Sequence, residues 1–201
     1  MLFAVWNIIK NMYLIMEINN MTKYKILKEI TSDTEIIWKK SRGIAPDSVA
    51  NKMDEAMLHW MTELTSTLSI WMDKNVTLTD GELILARTNL GALVECWLKF
   101  FYCVYYEDYL KIPKRNKKDK IIEPNKMSFN DLKTFSLGIL WEDIADSNYL
   151  WVEKIQYQRN AIHAFNYRDI GTPIEFMDDV DKLCEFVDFL RMRLPSIEDC
   201  M

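Results

Sequence analysis

Glycine and proline are scarce, five of each in 201 residues. That is too few for the frequent turns of an all-β fold, so helices are the default. Histidine is scarcer still: only His59 and His163 occur. No His-rich or Asp-rich ligand spacing is present, so neither a metal site nor a cofactor is expected. The four cysteines, Cys96, Cys103, Cys184 and Cys200, lack the close pairing of a zinc site. With no mark of a secreted disulfide framework, they are expected as reduced thiols in a cytoplasmic protein. Positive charge is not in excess either. A net charge of −5 and a pI near 5.2 exclude a field that gathers phosphates over the whole molecule, so any contact with RNA has to be local. No apolar run reaches the roughly 20 residues of a membrane span. The nearest, Leu2 to Met16, is interrupted by Asn7, Lys10 and Asn11 and lacks the basic start and small-residue cleavage site of a signal peptide. A glycine-rich phosphate loop, a framed serine or cysteine nucleophile and an internal repeat are also missing.

What is present reads as one all-α domain. Hydrophobic residues make up 49% and charged residues 27%, an ordinary globular balance at a length sufficient to bury a core. Residues 1–20 are expected to be an amphipathic N-terminal extension, because Met21-Thr22-Lys23 also reads as a translation start. Residues 21–78 are lead-in helices, broken around Thr31-Ser32-Asp33. Asp47 or Ser48 then caps a long helix with Met53, Met57, Trp60, Met61, Leu64, Leu68 and Trp71 at helical spacing. That Met and Trp stripe is expected to be adaptable core filling in preference to a ligand pocket, and His59 on the same helix is expected to be a packed or surface histidine.

Residues 79–195 form the core of the same domain. Thr79 and Glu82 make a capping box for a helix running to about Leu110. Its second half, Trp97 to Tyr106, is apolar around most of the circumference, which implies burial inside a bundle or across a dimer. Lys111 to Asn125 is a loop whose Lys114, Arg115, Lys117 and Lys118 are either a phosphate clamp for RNA or a solvated connection; no aromatics interleave them. Ser128 caps a short helix, a further helix is expected from Ser147 to Phe165, and Thr172-Pro173-Ile174-Glu175 opens the last one. A helical bundle of five to six helices follows.

The stretch Gln158 to Phe165 sets three chemically capable side chains into an otherwise core-like helix. At about 100° per residue, Arg159 and His163 fall one turn apart on one face, at the edge of a stripe of Trp151, Ile155, Ile162 and Phe165. A groove or subunit boundary suits that position. Arg159-Asn160 followed by His163, on a late helix of a small all-helical protein, resembles the signature of HEPN domains, with closer spacing than that family usually shows. Ala86 to Glu95 is similar to the early long helix of such domains. The resemblance implies a helical bundle, a homodimer, ribonuclease activity of toxin or defence type, and an antitoxin-like protein partner.

Cutting RNA without a metal needs a group that moves protons near neutral pH and a cation that stabilises charge building on the phosphate. His163 suits the first role and Arg159 the second, with Asn160 as an orienting group. The competing expectation is a non-catalytic interaction module, in which Arg159 pairs with Glu153 or Glu95 and His163 makes an interhelical hydrogen bond.

Overall fold

A computed structural model describes residues 21–195. Among them there are eight α-helices and no strand: α1 over residues 21–38, α2 Asp47–Glu55, α3 Leu58–Lys74, α4 Asp80–Val104, α5 Tyr106–Tyr109, α6 Phe129–Phe135, α7 Ser147–Arg159 and α8 Pro173–Arg191. The all-α expectation holds, with more and shorter helices than the five or six expected. The N-terminal extension, residues 1–20, lies outside the described residues.

Helix α4 is the axis of the bundle, packed against α3, α7 and α8. It starts where the Thr79 hydroxyl accepts the Glu82 N–H and the Glu82 carboxylate accepts the Thr79 N–H. Its apolar second half is covered within one chain: Trp97 and Leu98 are fully buried and Phe100 to Val104 nearly so. The T-shaped contacts of Trp38 and Trp97 with Phe100, each 5.6 Å between ring centres, help close that surface. The aromatic run therefore does not itself require a partner subunit. The last turn is also broken at Tyr105, so α4 stops at Val104 and only the short α5 continues toward Leu110.

Three other expectations are corrected. Helix α1 runs through Thr31-Ser32-Asp33, because the Thr31 and Thr34 hydroxyls donate back to the carbonyls of Leu27 and Ile30 at 2.8 and 2.7 Å and leave the backbone ladder helical. The long helix expected after Pro46 is instead two, α2 and α3, parted at Ala56 and Met57, and neither Asp47 nor Ser48 acts as its side-chain cap. Helix α7 ends at Arg159. A 3₁₀ turn, Asn160–Ile162, follows it, and Ile162 and Phe165 are exposed where they were expected to extend the buried stripe. A helix persists where it has an apolar face to bury, and beyond Ala161 this one has none.

The polar centre of the bundle is Asp179 of α8. It accepts from Arg87 of α4, from the Trp151 indole at 2.9 Å and from Lys154 at 2.8 and 3.0 Å, both on α7. The Arg87 side chain is completely buried, and its Nε donates to the Ile170 carbonyl at 3.0 Å, fixing the loop between α7 and α8. Gly171 completes the loop at φ +67°; a Cβ there would lie 2.7 Å from the Glu175 carboxylate and 3.1 Å from Arg87. Glu175 is needed in place, since it closes the capping box on Thr172 that opens α8.

Two measurements test this account. Asp179→Ala leaves Arg87 buried without its carboxylate and is expected to cost about 3–5 kcal/mol in urea unfolding. At the start of α4, the Lys74 ammonium and the Thr79 N–H hold the Glu82 carboxyl down at about 2. A depressed carboxylate stabilises the fold above its unfolded pKa and ceases to do so as pH falls through the folded one. Glu82→Gln should therefore lower the thermal midpoint at pH 7, and the difference from wild type should shrink from the ordinary carboxylate range down to about pH 2.

Candidate functional site

The end of α7 is drawn onto α4 by an unusually close approach. A Cβ built at Gly91 would lie 2.6 Å from the Cβ of Arg159 and 2.8 Å from its Cγ and Cδ. Only glycine at this point of α4 lets the Arg159 stem cross the helix. The guanidinium then pairs with Glu95 one turn further along α4 and lies 5.6 Å over the Phe129 ring of α6. Glu153, the other carboxylate considered for Arg159, is instead bound by Lys133 at 2.7 Å. Glu95 is shared: its second oxygen receives Lys99 at 2.7 Å. One carboxylate thus faces two cations, and the group retains a positive charge.

The 3₁₀ turn alters the relation of Arg159 to His163. With about three residues per turn and a longer rise, the two side chains are not stacked one helical turn apart as the continuous helix implied. They nevertheless line one cleft of about 500 Å³, together with Asn160, Glu95, Ser128 and Asn130. The His163 side chain is exposed and forms no hydrogen bond or ion pair among the described residues, in contrast to the interhelical bond that a purely packing role implied. Comparison with family models, with curated proteins and with solved structures finds no match.

None of Lys114, Arg115, Lys117 and Lys118 lines the cleft. The loop is held by Tyr109, whose hydroxyl receives the Lys114 N–H at 3.1 Å, and by the Asn116 side chain, which receives the N–H groups of Lys118 and Lys120 at 2.8 and 3.1 Å. Lys114 also lies 3.6 Å from Asp131, and Arg115 3.8 Å from Asp119. The segment is a folded turn. Among the described residues, no group of His, Cys, Asp and Glu side chains is arranged to hold a metal ion, and no helix is long and apolar enough to cross a membrane.

Sequence reasoning did not find Ser128 and Asn130 as cleft residues, since nothing in their spacing links α6 to α7. The role of Gly91 carried a faint signal: among the described residues it is the only glycine in the interior of the longest helix, where it costs roughly 1 kcal/mol against alanine and needs a reason.

That cost sets up a test of sign. At Gly81, in open space in the first turn of α4, alanine should stabilise by up to about 1 kcal/mol. At Gly91 the same substitution meets the Arg159 stem and should destabilise by about 1–3 kcal/mol of overpacking. Chemical denaturation of the two variants side by side reads this directly; stabilisation by Gly91→Ala would show that Arg159 does not cross there.

Proposed function

We propose that this chain is a metal-independent endoribonuclease of HEPN type, acting as a toxin or defence protein in the cytoplasm. The observation that carries the reading is the cleft in which Arg159, Asn160 and His163 meet despite their short spacing. The chemistry follows from the groups present. The 2′-hydroxyl oxygen of a ribose attacks the adjacent phosphorus while its proton passes to the His163 imidazole; the bond from phosphorus to the 5′-oxygen breaks, and that oxygen takes up a proton. The products are a 2′,3′-cyclic phosphate end and a 5′-hydroxyl end. Arg159 stabilises the charge that builds on the phosphoryl oxygens, and the unbalanced positive charge around Glu95 assists it. Asn160 orients the ribose or the phosphate. A homodimer with two such clefts facing each other across a twofold axis supplies a second imidazole as the acid, and an antitoxin-like protein is the expected partner that holds such an activity in check.

A second reading is a non-catalytic interaction module, favoured by the Arg159–Glu95 ion pair and by the exposure of Phe165 and Tyr167. The two readings diverge on mutation. For the ribonuclease, His163→Ala abolishes cleavage of total cellular RNA with unfolding and oligomeric state unchanged, because the side chain is exposed, and EDTA has no effect on the wild type. For the interaction module, the wild type leaves RNA uncut, and Arg159→Ala weakens stability or assembly through the loss of its partner.

A further inference from the structure

A second cleft, of about 570 Å³, lies on the other side of Gln156 and Asn160, which line both openings. Its cations are Lys133, Lys154 and Arg168. Lys133 is matched by Glu153 at 2.7 Å. Lys154 reaches Asp179, but Arg87 already binds that carboxylate, so this cluster again keeps one positive charge, with Lys154 as its solvent-facing member. Arg168 has no carboxylate partner among the described residues, and its Nε is buried without an acceptor. Its guanidinium is held 4.9 Å over the Tyr157 ring. A guanidinium stacked by its face keeps its edge for a bidentate anion. Positive charge is thus in local excess here, as it is around Glu95, in a chain of net charge −5.

Charge alone fits a phosphate or a carboxylate equally. The neighbouring chain decides between them. Phe165 and Tyr167, 103% and 91% exposed, lie three residues and one residue before Arg168, and large aromatic rings left in water near an arginine without a carboxylate partner are what stacking on unpaired bases requires. This is the interleaving of aromatic and basic residues that the lysine loop lacks.

We propose that the cleft holding Arg168 and Lys154, with Phe165 and Tyr167 beside it, is a subsite for a single-stranded polynucleotide. Arg168 and Lys154 hold a phosphodiester next to the one placed at His163, and the two rings stack bases. The inference rests on the ribonuclease reading only for the reason the strand is there. Its test therefore measures binding without cleavage: fluorescence anisotropy of a 2′-O-methyl RNA oligonucleotide, which cannot be cut at the 2′-oxygen, over a range of salt. Arg168→Gln should weaken binding on the order of tenfold and make the dependence of log affinity on log salt shallower by about one phosphate contact. Phe165→Ala with Tyr167→Ala should weaken binding by a similar factor and leave the slope unchanged. Both variants alter exposed or half-exposed side chains, and unchanged thermal midpoints would establish that they fold.

Wild type that fails to bind the oligonucleotide, or variants that bind as wild type does, would overturn the subsite even if the protein cuts RNA. Displacement by poly-glutamate as effective as by the oligonucleotide would also overturn it, and would assign the cleft to an acidic protein segment. Binding with the stated slopes in a protein that leaves RNA uncut would sustain the subsite and remove the ribonuclease reading.

Discussion

The ion pair between Arg87 and Asp179, buried where α4, α7 and α8 meet, is the constraint on which the site depends. Removing both charges from water is expensive and is offset only by close geometry and further hydrogen bonds. Those bonds reach α7 and the loop that follows it. The Trp151 indole and Lys154 bind Asp179 from α7, and Ile170 receives Arg87 from the loop that follows α7. The four groups fix the height of α7 on α4 and the return path of the chain into α8. The positions of Arg159, His163 and Arg168 follow from those two placements, because all three lie between Lys154 and Gly171 in the chain.

The electrostatics repeat one device. A carboxylate set into α4 or α8 faces two cations: Glu95 faces Arg159 and Lys99, and Asp179 faces Arg87 and Lys154. Each carboxylate orients the long cationic side chains, and each cluster still leaves a positive charge uncompensated. An acidic protein in this way carries two local surpluses of positive charge on either side of Gln156 and Asn160 without a basic field over the whole molecule, since charges at longer range are screened within roughly 10 Å at ordinary ionic strength. The price is that Arg159 is not free. Any phosphate approaching it competes with Glu95, whereas Arg168 has no carboxylate partner among the described residues.

Close packing supplies the remaining constraint. Gly91 allows the Arg159 stem to lie against the α4 backbone, and Gly171 leaves room for Glu175 and Arg87. Both glycines act through an absent Cβ, one inside a helix and one at positive φ. The first brings the end of α7 within reach of Glu95; the second lets α8 begin with its capping box intact.

The residues alone determined the helical class, three of the four side-chain caps among the described helices, at Thr79, Ser128 and Thr172, and the burial of the aromatic half of α4. Each of these rests on hydrogen bonds within three residues or on a periodicity within one helix, which a linear reading contains. They also singled out Arg159, Asn160 and His163 as neighbours, because adjacency in the chain guarantees adjacency in space. Tertiary structure alone decided that the helix expected after Pro46 divides at Ala56 and Met57, and that α7 stops at Arg159. It also decided that Arg159 takes Glu95 over Glu153, and that none of Lys114, Arg115, Lys117 and Lys118 lines the cleft while Arg168 lines its neighbour. Those outcomes depend on which surfaces are covered and which charges meet across 64 or 92 positions of chain, and no local pattern of residues carries that information.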